Sequence, residues 1–152
     1  MTSNTNHTIG ALVQDKPGVL DRVASMFRRR GFNIVSLAVG HSEHDGLSRM
    51  TFVVEGNEDT VEQVTKQLNR LIDVLKVTEL DEQEIVVREL VLIKVRTTPA
   101  TRSDIIQIAS IFRANIVDVG PNTLVVEATE EEKKIDALNH LFRPFGVLEL
   151  MR

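Results

Sequence analysis

The 152-residue chain contains no cysteine, no tryptophan and no tyrosine. Without cysteine it can form no disulfide, no thiolate nucleophile and no cysteine-ligated zinc site, and it reads as an intracellular protein. Without Trp or Tyr it lacks the side chains of an aromatic stacking platform or a hot-spot-rich binder. No apolar run approaches the roughly 20 residues needed to span a bilayer. The opening MTSNTNH is polar with no apolar centre, so no signal peptide is expected. A formal net charge of −4 gives no general pull toward nucleic acid or an anionic membrane. These absences describe a soluble, cytoplasmic protein with no membrane or nucleic-acid partner. Its length suffices for one domain or two small ones with a real core.

What is present is organised around residues 13–40, VQDKPGVLDRVASMFRRRGFNIVSLAVG. This reads as strand, tight turn, amphipathic helix and second strand. Pro17 suits a first helical position, because its φ is already set and its missing N–H would be unpaired there. Asp15 or the residue after it can cap, and Gly18 leaves the first-turn amides open to a small anion such as a carboxylate. Leu20, Val23, Met26, Phe27 and Arg30 form a helical stripe. Arg28, Arg29 and Arg30 make a last turn that suits the helix dipole. Gly31 stops the helix and Asn33 opens the next strand. Alternation there sets Val35, Leu37 and Val39 on one face, with Ile34, Ser36 and Ala38 on the other.

Asp45-Gly46 points to a hairpin returning through Arg49–Glu55, and Asn57 caps a helix with Val61, Val64, Leu68 and Leu71 inward. A strand from Asp73 to Leu80 completes β-α-β-β-α-β, the ferredoxin-like order. After an acidic stretch the pattern begins again. Strand Glu89–Arg96, helix Ser103–Arg113, strands Asn115–Val119 and Thr123–Ala128, a helix opened by a Thr129–Glu132 capping box, and strand Val147–Met151 follow. Short identities support a duplication: Ser25-Met26-Phe27-Arg28 with Ser110-Ile111-Phe112-Arg113, and Asn33-Ile34-Val35 with Asn115-Ile116-Val117. The expected fold is α+β, two tandem ferredoxin-like βαββαβ domains, each an antiparallel sheet with helices on one face. The expected division is a disordered stretch at 1–7, an effector-binding domain at 8–80, a linker at 81–85 and a second domain at 86–152. At the place of Asp15-Lys16-Pro17-Gly18 the second half carries Thr97-Thr98-Pro99-Ala100, without the glycine. A ligand site in the first half therefore has no expected twin.

Catalytic chemistry finds little support. No G-x-S-x-G, Walker A or H-E-x-x-H pattern occurs. His41-Ser42-Glu43-His44-Asp45 reads as a solvated hairpin loop rather than a metal site. RNA-recognition motifs share the ferredoxin-like order, but the strand after Phe32 lacks the aromatic residues that stack bases. An acylphosphatase-like enzyme needs an arginine-rich phosphate loop after the first strand, and Gln14-Asp15-Lys16 does not supply one.

The first half resembles ACT domains, small modules that bind amino acids. The whole of residues 8–152 resembles the regulatory small subunits of acetolactate synthase. The marks are DKPGVLDRVASMFRRRGFNIVSLAVG, Leu47-Ser48-Arg49-Met50-Thr51, QLNRLIDVLKV at 67–77 and IFRANIVDVG at 111–120. The resemblance implies a non-catalytic partner of a large catalytic subunit, with thiamine diphosphate, magnesium and FAD held by that subunit and no cofactor in this chain. It also implies activation of the large subunit, and feedback inhibition by valine, leucine or isoleucine in branched-chain amino-acid synthesis. The effector is expected between ACT domains of two chains in a homodimer. The positions carried over are Asp15, Gly18, Val19, Leu20, Asn33, Ile34 and Gly40. An ACT-domain sensor serving a different enzyme is the alternative.

Overall fold

A computed structural model describes residues 5–80 and 83–152. The chain divides into two compact units, Met1–Ile85 and Val86–Arg152. In the first, β1 (Thr5–Gln14), α1 (Val19–Arg30), β2 (Ile34–His41), β3 (Leu47–Gly56), α2 (Glu58–Asn69) and β4 (Val74–Leu80) follow in order. The strands form one antiparallel sheet, β2-β3-β1-β4, so β2 and β4 are its edges. Alternation along β1 and β3 buries Ile9, Ala11 and Val13 with Met50, Phe52 and Val54. The helices cover this face with Val19, Val23, Met26 and Phe27 from α1, and Val61, Val64 and Leu68 from α2. Phe27 stacks on Phe52 at 5.2 Å between centroids and meets Phe32 edge-on at 6.3 Å. One sheet face is thus core, and the helices lie on it alone.

The second unit repeats the plan. Its elements are β5 (Glu89–Arg96), α3 (Arg102–Ile111), β6 (Asn115–Val119), β7 (Thr123–Glu130), α4 (Glu132–Phe142), a 3-10 turn (Arg143–Phe145) and β8 (Val147–Met151). The sheet order is β6-β7-β5-β8. Val91, Ile93, Val95, Leu124 and Val126 meet Ile105, Ala109, Ile135, Leu138 and Phe142 in its core. Both units therefore have the tandem ferredoxin-like, antiparallel α+β architecture.

The duplication extends to irregularities. The β2–β3 register shifts between Ile34 and Ser36, and the β6–β7 register between Ile116 and Asp118. The repeated Asn-Ile-Val triplet thus encodes the same bulge twice, with the extra residue at Val35 and Val117. This corrects the simple alternation read for the strand. Ile34 lies opposite buried Val54 and packs on the core, on the face that Leu37 and Val39 share with Phe52 and Met50.

Several helix and strand ends also differ from the sequence reading. Thr5–His7, expected to be disordered, continue β1 because the ten-residue β3 offers partners in Val54, Glu55 and Gly56. Helix α1 starts at Val19 with Gly18 as N-cap and no side-chain cap, so Asp15 does not cap it. Leu20 is 47% exposed rather than part of the stripe, and Val19 takes the buried place. Thr129 and Glu130 lie in β7, and Glu131 precedes α4 without a side-chain cap, so no capping box forms. Part of the expected linker, residues 81 and 82, lies outside the described residues.

Candidate functional site

At the C-terminal end of β1 the chain must turn onto the sheet face within four residues, Asp15 to Gly18. Gly18 makes this possible with φ 83, a left-handed conformation that side chains disfavour. A Cβ there would also lie 3.2 Å from an Arg22 terminal guanidinium nitrogen. Among the described residues, the amides of Gly18, Leu20 and Asp21 have no acceptor, and the Val19 amide makes only a long 3.4 Å bond to the Lys16 carbonyl. The first turn of α1 therefore presents a group of open donors at the positive end of a helix dipole.

An ion pair and a histidine–carboxylate contact hold this turn. The Arg22 Nε donates to Asp73 Oδ2 at 2.6 Å, and the Asp73 side chain is only 10% exposed. The Asp73 carbonyl in turn accepts from the Gln14 amide at 2.9 Å. One residue before β4 thus pins both the end of β1 and the second turn of α1. On the other side, the Asp15 amide donates to the Gly46 carbonyl at 2.9 Å, and Asp15 Oδ2 lies 3.2 Å from His41 Nδ1. The hairpin loop is braced by Arg49, whose terminal nitrogen reaches both Glu43 oxygens at 2.8 and 3.0 Å. The Glu43 carboxyl is held below its ordinary range by its own backbone amide and then by Arg49. Among the described residues no group of three His, Asp or Glu is arranged to hold a metal.

The structure brings Asp15, Gly18, Leu20 and Gly40 to one end of the sheet. Gly40 immediately precedes His41, the partner of Asp15. Val19 is there too, but its side chain is buried in the core, so only its backbone faces the turn. Asn33 and Ile34 are not brought there. Ile34 opens β2 and Asn33 precedes it, and Ile34 is seven residues from the strand's end, roughly 23 Å away along an extended strand. One chain alone does not assemble the full set. Pairing of Arg22 with Asp73 had no signal in the local pattern, since the two are 51 residues apart.

The matching place in the second unit is held more tightly at the cap and the position after it, although the Ser103 and Asp104 amides have no acceptor among the described residues. The Thr98 amide donates to Thr101 Oγ1 at 2.9 Å, and the Thr101 amide reaches both the carbonyl and the hydroxyl of Thr98. Arg102 lies across the short β6–β7 connection, donating to the carbonyls of Gly120 and Pro121 at 3.1 Å each.

Residues 9–76 match the profile of the AHAS small subunit-like ACT domain, and residues 88–152 match that of the small subunit of acetolactate synthase. A probable acetolactate synthase small subunit of Archaeoglobus fulgidus is 54% identical over 96% of this chain and 91% of its own length. The acetolactate synthase small subunit of Mycobacterium bovis is 51% identical over 97% and 88%. In three dimensions the chain is similar to the crystal structure of the acetolactate synthase small subunit from Thermotoga maritima. The TM-score is 0.92 at 41% identity, over 97% of this chain and 92% of that one. Two profiles that divide the chain between them, relatives above half identity and a shared two-unit fold place it together: this chain belongs to the acetolactate synthase small-subunit family.

Proposed function

We propose that the chain is the regulatory, non-catalytic subunit of an acetolactate synthase, which activates a large catalytic subunit and transmits feedback inhibition by valine, leucine or isoleucine. Thiamine diphosphate, magnesium and FAD belong to the large subunit in this reading. The observation that carries the effector site is the geometry of β2. It is an edge strand, paired with β3 on one side only, with three half-exposed apolar side chains, Val35, Leu37 and Val39. An exposed edge of this kind is a template for strand pairing. Antiparallel pairing of β2 with a second copy sets the start of one strand beside the end of the other. Asn33 of the partner subunit then faces Gly40, Asp15 and Gly18, and the site that one protomer leaves split becomes complete.

Each group of a free amino acid then has a counterpart. The open amides after Gly18 receive the carboxylate. The side-chain oxygen of Asn33 of the partner subunit, or a strand carbonyl beside it, accepts from the amine. Leu20 and Ile34 of the partner subunit wall the aliphatic side chain. A ligand held across a two-chain interface shifts inter-chain geometry, and coupling of about 1–3 kcal/mol is typical of such effects.

Titration calorimetry with valine, leucine, isoleucine, serine and phenylalanine tests the reading, with Asn33→Ala alongside. Saturable binding of a branched-chain ligand that the variant loses is expected. Binding of serine or phenylalanine alone would move the protein to another pathway, and undiminished binding by Asn33→Ala would remove Asn33 from the site.

A further inference from the structure

Arg29 and Arg30 of the last turn of α1 and Arg70 at the end of α2 reach into one groove between the two helices, and Arg28 precedes them in the same basic run. Arg29, Arg30 and Arg70 line an open groove of about 460 Å³ together with Met26, Gln67 and Leu71. Arg30 donates to Gln67 Oε1 at 3.1 Å. Among the described residues no carboxylate pairs with any of the four arginines, although the chain as a whole is acidic. A helix dipole accounts for cations in the last turn of each helix separately. It does not account for two helices aiming theirs into one groove, where like charges repel and the floor is the apolar edge of Met26 and Leu71. Arginine is the cation of choice at protein interfaces, because its guanidinium sheds water easily and grips a carboxylate with two hydrogen bonds.

We infer that this groove is a docking site for an acidic segment of the large catalytic subunit, its Asp or Glu side chains meeting Arg29 and Arg70 and an apolar side chain covering the partly buried Leu71. The inference rests on the small-subunit reading above. A small anion fits less well, because phosphate seeks free backbone amides, whereas the amides of Arg70 and Leu71 are bonded to carbonyls of α2 and the groove of about 460 Å³ is far larger than one phosphate. Carboxylates on flexible side chains reach arginines on both sides of such a groove. Position gives the groove a further meaning. Arg30 is joined to Asn33 by Gly31 and Phe32 alone, and the amides of both linking residues are tied back to the last turn of α1. Movement at the proposed effector contact of Asn33 is thus passed directly to the helix end that the large subunit would grip.

The test is the affinity of the full chain for its purified large subunit at low and at moderate salt. The variants are Arg29→Glu/Arg70→Glu, the milder Arg29→Ala/Arg70→Ala, and Arg143→Glu as a charge-change control in the second unit. Circular dichroism confirms that each is folded. The double reversal is expected to lose tenfold or more in affinity and most of the salt dependence, the alanine pair to lose less, and the control to stay near wild type, with valine binding by the free chain unaltered. Wild-type-like affinity in the double reversal, or a loss no larger than that of the control, overturns the groove assignment. So does inorganic phosphate binding that the reversal abolishes while large-subunit affinity is unchanged, since the groove would then hold a small anion. Failure of the wild-type chain itself to bind the large subunit overturns the small-subunit reading instead.

Discussion

The first turns of α1 and α3 occupy the same place in two copies of one fold, yet they differ at the cap and the position after it. At α1 a glycine in the left-handed region makes the turn, its own amide has no acceptor among the described residues, and the Val19 amide makes only a long bond. At α3 Thr98 and Thr101 satisfy each other, and Arg102 lies over the shortened connection behind them. Duplication preserved the sheet order, the bulges and the core, and diverged where a ligand would touch. Both helices leave their next two amides without an acceptor among the described residues, Leu20 and Asp21 in one and Ser103 and Asp104 in the other. The contrast therefore lies in the residue that makes the turn and in how the cap is held.

The largest effect should come from closing the open turn. Gly18→Asp places a carboxylate where the effector's own would sit. Repulsion between unit charges near a protein surface is worth about 3 kcal/mol at contact distance, on the order of a hundredfold in affinity. Aspartate tolerates the left-handed conformation better than most residues, so the strain should cost only about 1 kcal/mol of stability. Calorimetry and a melting curve on the same sample separate the two. The reciprocal change, Ala100→Gly, should create no site, because Thr98 still holds the Thr101 and Arg102 amides. Binding at two sites per chain in that variant would mean that the glycine alone makes the difference.

A smaller effect is expected from the anchors. Arg22→Leu leaves the Asp73 carboxylate buried without its cation, at a cost of about 2 kcal/mol after allowance for the half-exposed arginine. Asp73→Ala should cost less, since Arg22 can turn to water. In the second unit Arg102→Leu removes bonds to two carbonyls near the surface, at about 1 kcal/mol. Urea unfolding ranks the three. Equal losses for Arg22→Leu and Arg102→Leu would show that the Asp73 pair adds nothing beyond ordinary hydrogen bonds.

Much of this was legible in the sequence because it is carried by periodicity and repetition. The stripe of Val61, Val64 and Leu68, the Asn57 cap, the Asp45-Gly46 hairpin and the repeated Asn-Ile-Val each report a local rule. What escaped was decided by contacts distant in sequence or by competition between neighbouring elements. The Thr129 box looked like a helix start, but β5 supplies partners for β7 as far as Glu130, and the ladder won. The alternation of β2 looked regular until the bulge at Val35 turned Ile34 toward the core. Arg22 with Asp73, and Arg29 with Arg70, meet only because α1 and α2 lie on the same sheet face. The candidate site was half legible: Gly18 marks itself, while the gap between it and Asn33 is visible only once β2 is laid out along the sheet.

The smallest difference between the units concerns the helices that follow the third strand in each. Asn57 accepts the Thr60 amide and hydroxyl, both at 2.9 Å, and caps α2. Glu131 holds the same place before α4 with extended backbone, φ −69 and ψ 150, but its longer side chain makes no cap and instead lies 3.6 Å from Arg88. That exposed pair is worth little, so shortening the side chain by one methylene sacrifices little and lets a carboxylate reach the first-turn amides. Asn57→Ala is expected to cost about 1 kcal/mol, and Glu131→Asp to gain about 0.5 kcal/mol. Hydrogen exchange reads each helix separately, through faster exchange in the first turn of α2 and slower exchange in that of α4. If neither variant moves its helix, both ends are held by packing on the sheet, and the caps are consequences of the fold rather than supports of it.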